Sequence, residues 1–115
     1  MTSNDYQILA SRTLLDVPDR DYSHEEIMLV WNAIGLAGEA GEVADHIKKG
    51  VFHDHGIDNE KLVKELGDVL WYVAAIATKI GVPLALIMEL NIAKLKQRYP
   101  DGFKTEDSIS RVDVQ

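Results

Sequence analysis

Cysteine is absent from this chain of 115 residues, which excludes disulfide staples and thiolate metal sites and takes from zinc its preferred soft ligands. Basic side chains are the minority: 12 Lys and Arg stand against 19 Asp and Glu, for a formal net charge of −7. Nucleic acids and anionic membranes both require a basic surface, so neither is an expected partner. A polyanionic substrate would have to arrive with cations. No apolar stretch approaches the ~20 residues of a membrane-spanning helix; the longest runs only from Val69 to Ala77. The N-terminal MTSNDYQILA has neither the basic start nor the apolar stretch of a signal peptide. The expectation is a cytoplasmic, single-domain protein, large enough to bury a core and small enough that an active site would borrow from a second subunit.

Strand-like alternation is also missing, whereas apolar residues recur at helical spacing along nearly the whole chain. The pattern predicts an all-α, four-helix-bundle-like domain over residues 1–103, followed by a polar, mobile tail over residues 104–115. A first helix is expected from about Asn4 to Leu15 behind Thr2 or Ser3, stopping before Pro18. Ser23 and Glu26 have the spacing of a capping box and open a long second helix, which the Lys48-Lys49-Gly50 sequence should stop. After a VFHDHGIDN loop, Asp58 or Asn59 caps a third helix to about Lys79. Pro83 fits the first turn of a fourth, which must stop at Tyr99 before Pro100.

Within this pattern two pairs of acids stand three residues apart in otherwise apolar helical sequence: Glu39 and Glu42 in GLAGEAGEVAD, and Glu65 and Asp68 in KELGDVLWYV. At about 100° per residue, Asn32, Gly35, Glu39, Glu42 and His46 share one stripe of the second helix. The same arithmetic groups Lys61, Glu65, Asp68 and Tyr72 on the third helix, and Asn91, Lys94 and Arg98 on the fourth. Carboxylates bordering a core are costly to desolvate unless something positive stands between them. Four hard oxygen donors suit Mg²⁺ or Mn²⁺ better than Ca²⁺ or zinc. Di-iron bundles require Glu-x-x-His pairs, which neither motif has. Antiparallel packing would then surround a cavity with the four carboxylates and set Lys94 and Arg98 opposite them. His46 reads as a packing residue or a support for a ligand. The loop pair His53 and His55 could bind metal but reads as incidental, and the aromatic Trp31, Trp71 and Tyr72 read as core or interface residues, with stacking of one of them on a base as the alternative.

In order, GLAGEAGEVAD, KELGDVLWYVAAIA and NIAKLKQRYPDGF resemble the all-α nucleoside triphosphate pyrophosphohydrolases of the MazG-like family, over roughly Ile27 to Phe103. Glu39 and Glu42 match the second and third acids of that family's Glu-Glu-x-x-Glu motif, and Glu65 and Asp68 match its Glu-x-x-Asp motif. Gly38 stands where some members carry a leading glutamate, as in a Gly-Glu-x-x-Glu branch. The resemblance implies Mg²⁺-dependent cleavage between the α- and β-phosphates, releasing a monophosphate and pyrophosphate, by a homodimer or homotetramer active in nucleotide-pool clean-up.

On that basis Glu39, Glu42, Glu65 and Asp68 are expected to hold the metal, with Glu42 or Glu39 accepting a proton from water. Lys94 and Arg98 would bind the β- and γ-phosphates, Asn91 a phosphate or the sugar, and Trp31 and Asn32 the base. Two alternatives stay open: a related pyrophosphohydrolase acting on a phosphoribosyl nucleotide or an alarmone, and a non-enzymatic helical interaction module whose acids only solvate a bundle seam. Oligomerisation is expected in either enzymatic case, because Val69 to Ala77 and the fourth helix carry more apolar surface than four short helices can cover.

Overall fold

Serine, threonine and aspartate start the first three helices, and proline starts the fourth. The computed structural model describes residues 1–111, of which most are helical and none forms a strand: α1 (Ser3–Ser11), α2 (His24–Phe52), α3 (Asn59–Lys79), α4 (Leu84–Arg98) and α5 (Thr105–Ser110). Thr2 and Asp5 close a reciprocal capping box at α1, with hydrogen bonds of 3.0 and 3.1 Å. Ser23 and Glu26 do the same at α2. The Asp58 carboxylate accepts the Lys61 N–H at α3, and Pro83 precedes the first residue of α4.

Three ends differ from the sequence expectation. α1 stops at Ser11, four residues short of Leu15, where the Ser11 and Thr13 hydroxyls donate to the Ile8 and Ala10 carbonyls and compete with further helix. α2 runs through Gly50 to Phe52. A side chain at Gly50 would meet Ile57 and the Gly56 carbonyl, so this glycine serves the close approach of the following loop and does not stop the helix. The short helix α5 occupies part of the segment expected to be a mobile tail; the remainder of that expectation, residues 112–115, lies outside the described residues.

Antiparallel α2 and α3 form the one extended intrachain interface among the described residues, while α3 and α4 touch near their junction. Between those two helices the axis turns through 106°. A four-helix bundle therefore does not close within one chain: α1 and α4 stand away from the α2/α3 hairpin. Among the described residues, only Ala77 and Asn32 are buried as whole residues. The radius of gyration is 20.2 Å, against about 13 Å for a compact domain of this length. Exposed apolar residues form a stripe on α2, with Ile27, Val30, Trp31 and Ile34 at i, i+3, i+4 and i+7, and Leu86, Met88, Leu90 and Ile92 are exposed on two sides of α4. Among the described residues no single helix is long and apolar enough to cross a membrane.

The hairpin interface is set at one end by Gly35, because the Tyr72 ring occupies the space a β-carbon there would need. Gly35→Ala should force that ring aside and cost about 1–3 kcal/mol, the usual range for overpacking; equilibrium urea unfolding showing no loss would contradict this contact. A second clasp orders the approach to α2. Arg20 forks onto Glu26 at 3.2 and 2.8 Å, and its guanidinium lies 4.1 Å from the centre of the Tyr22 ring. With the Ser23 N–H as a second donor, Arg20 lowers the Glu26 pKa from 4.5 to about 2. A carboxyl whose folded-state value is depressed contributes stability above its ordinary value and loses it as pH falls toward the folded one. The melting-temperature gap between wild type and Glu26→Gln should thus be present at pH 6 and close between about pH 4.5 and 2. Solvent exposure keeps the gap small, and a gap that widens on acidification would refute the assignment.

Candidate active site

The acids of α2 and α3 face one another because the polar stripe of each helix lies at their shared seam. Gly35 packs on Tyr72. One and two turns further along α2, Glu39 shares a cavity with Asp68, and Glu42 and His46 share another with Glu65. Both acidic pairs therefore meet across the hairpin in antiparallel order. Glu39 and Glu65 are half-buried, whereas Glu42 and Asp68 are exposed.

The first cavity, of about 300 Å³, is lined by Glu39 from α2 and by Asp68 and the aromatic pair Trp71 and Tyr72 from α3, with no cationic side chain. The two rings meet edge to face, 5.0 Å apart at 85°. Periodicity favours core or interface for these rings; the place of Tyr72 on the Glu65 and Asp68 stripe is the signal that they line a cavity.

The second cavity, also about 300 Å³, lies at the closed end of the hairpin. Its loop is drawn in by backbone bonds, the His53 and His55 N–H groups donating to the Lys49 carbonyl at 3.1 and 3.4 Å and Gly56 N–H to the Gly50 carbonyl at 3.2 Å. Asp45 lines it already paired: Lys49 stands 2.7 Å away and Lys48 3.8 Å. The Lys49 hydrogen bond lowers the Asp45 pKa and, reciprocally, raises that of Lys49. The carboxylates at the heart of the site are different, since among the described residues Glu39, Glu42 and Asp68 have no salt-bridge partner. Glu65 lies against His46, with Oε2 3.1 Å from Nδ1 and side-chain exposures of 12% and 8%. The two atoms lack hydrogen-bond alignment, and neither has another partner.

These features fit a hard divalent cation. The donors are carboxylate oxygens: Glu39 and Asp68 with no cation beside them in one cavity, and Glu42, Asp45, Asp58 and Glu65 in the other, where Lys49 and Lys61 also lie. Among the described residues no three His, Asp or Glu side chains stand close enough to hold an ion alone. Mg²⁺ needs fewer, because it keeps several waters and binds through one or two carboxylates plus substrate phosphates.

The remaining expected residues lie elsewhere. Asn91, Lys94 and Arg98 line neither cavity, because α4 leaves the hairpin at its elbow. Trp31 is 71% exposed within the apolar stripe of α2. Asn32 is buried, its Nδ2 donating to the Met28 carbonyl at 2.7 Å.

Residues 31–103, spanning both carboxylate pairs and α4, match the model of the MazG nucleotide pyrophosphohydrolase domain. The chain belongs to the MazG family. It is 38% identical over 101 residues to the Gene 37 protein of Mycobacterium phage L5, covering 84% of this chain and 88% of that protein, whose name states no activity. No solved structure matches it. MazG membership supports a nucleotide pyrophosphohydrolase in general terms, and both carboxylate pairs at the α2/α3 seam lie within the matched residues.

Proposed function

We propose that this MazG domain is a Mg²⁺-dependent nucleoside triphosphate pyrophosphohydrolase of the cytoplasm, converting (d)NTP to (d)NMP and pyrophosphate and so clearing unwanted nucleotides. The observation that carries this reading is the antiparallel meeting of Glu39 with Asp68 and of Glu42 with Glu65 across one seam. In a protein of net charge −7, these acids cannot attract a triphosphate directly. They can hold the cation that accompanies it. Bound there, Mg²⁺ would neutralise phosphate charge and lower the pKa of an attacking water.

The chain's own groups supply the rest. Glu42, exposed at the mouth of its cavity, is assigned as acceptor of the water proton, with Glu39 as its counterpart in the neighbouring cavity. Water oxygen bonds to the α-phosphorus as the bond to the α,β-bridging oxygen breaks, and pyrophosphate leaves with that electron pair. The exposed face of Trp71 beside the Glu39 and Asp68 cavity offers a stacking surface for the base. Asn32 is the weaker of the base-binding expectations, because its amide nitrogen is engaged within its own helix.

Lys94, Arg98 and Asn91 are assigned to the outer phosphates and sugar, and the way they reach the carboxylates is assembly. The chain exposes 9465 Å², whereas a monomer of its mass exposes roughly 6,300 Å². The difference is larger than one side of a standard protein interface, about 800 Å². We infer a homodimer or homotetramer in which the exposed apolar residues of α2 and α4 are covered and α4 of one copy lies against the hairpin of another, with Trp31 at that boundary.

Two measurements test this reading. Glu42→Gln and Asp68→Asn should each lower pyrophosphate release from a nucleotide panel by at least about 100-fold while leaving helical circular dichroism unchanged. Full activity in either variant would remove the site, and release only from phosphoribosyl nucleotides or alarmones would redirect the substrate. Light scattering at micromolar concentration should give at least twice the 12.8 kDa chain mass; a monomer would refute the assembly.

A further inference from the structure

His46 is the one buried titratable side chain beside the carboxylates for which the proposed chemistry has no direct use. Its imidazole bridges two elements. Nε2 accepts the backbone N–H of Asp58 at 3.2 Å, the residue that caps α3. A nitrogen that accepts a hydrogen bond carries no proton, so the single proton of this imidazole is on Nδ1. Nδ1 faces Glu65 Oε2 at 3.1 Å, and both atoms are buried without another partner. A small rotation of the carboxylate would align donor and acceptor, which is the usual state of a catalytic hydrogen bond before ligand arrives. An unpaired buried carboxylate oxygen is expensive, and the neighbouring Nδ1–H is the group placed to satisfy it.

We propose that His46 is a positioning residue for Glu65: anchored through Nε2 to the start of α3, it holds Glu65 Oε2 through Nδ1–H and leaves Oε1 to face the cleft as a metal donor. His46 touches neither nucleotide nor metal and acts through the carboxylate, as residues behind a ligand commonly do. The inference rests on the reading of Glu65 as a metal-holding group.

The two hydrogen bonds of the imidazole can be separated by substitution. The amide of His46→Asn stands near the Nδ1 position and can still donate to Glu65, but it cannot reach Asp58. That of His46→Gln reaches the Nε2 position and Asp58 but not Glu65. His46→Ala loses both. Full-length variants are compared without nucleotide, Mn²⁺ affinity being measured from the spin-resonance signal of the free ion below the lowest melting temperature. His46→Ala and His46→Gln should bind Mn²⁺ about 10–100-fold more weakly than wild type, the loss typical when the support of a ligand is removed. His46→Asn should bind close to the wild-type value although its melting temperature falls. Affinities that follow the melting temperatures, with Gln rescuing and Asn not, would overturn the proposal in favour of a purely structural histidine, as would unchanged affinity in His46→Ala. Glu65→Gln, measured alongside, separates the two levels. If it binds Mn²⁺ like wild type, the metal reading of Glu65 fails; if it loses Mn²⁺ while every His46 variant retains it, only the positioning role fails.

Discussion

The antiparallel register of α2 against α3 is the constraint from which the rest follows. It is pinned at one end by the Tyr72 ring on Gly35 and at the other by His46 on the backbone of Asp58. Between those pins the sequence places an acid on each facing turn. A shift of one residue would rotate each acidic stripe by about 100° out of the seam, separating the pairs. Gly35 and His46 are thus as important to the site as the acids, although neither supplies charge. Their contribution is to make carboxylates meet where, without a cation, they would repel.

The same hairpin leaves much apolar surface uncovered. Among the described residues two are buried, and many large apolar side chains of α2 and α4 are exposed, which is the ground for the proposed assembly. Stability and catalysis are consequently tied together in the proposed assembly. The contacts that would cover Ile27, Trp31 and Leu90 are also those that would bring the cations of α4 to the carboxylates. An obligate oligomer of this kind has no separate monomer stability, and its melting temperature depends on concentration.

Much of this was legible in the sequence because it was written in local chemistry. Capping residues marked where helices begin, since Thr2, Ser23 and Asp58 satisfy backbone groups within three residues of themselves. Helical periodicity placed Glu39, Glu42, Glu65 and Asp68 on facing stripes, and the motifs themselves carried the family. What sequence reading missed depends on distant parts of the chain. Gly50 looked like a stop, but the glycine is required by the loop that folds back over it. The direction of α4 is set at a junction that turns 106°, so Lys94 and Arg98 could be assigned to a stripe but not to a cavity. Trp71 and Tyr72 were read as packing residues because periodicity cannot distinguish a cavity wall from a core.

The central claim is that the facing carboxylates of α2 and α3 hold a divalent cation at their seam, and crystallography of the Mn²⁺-soaked protein tests it most directly. Anomalous scattering should place the ion at the seam, with oxygens of Glu39, Glu42, Glu65 or Asp68 from both helices about 2.0–2.2 Å away, as for Mg²⁺-type coordination. Manganese bound only away from that seam, or none at saturating concentration, would contradict the account.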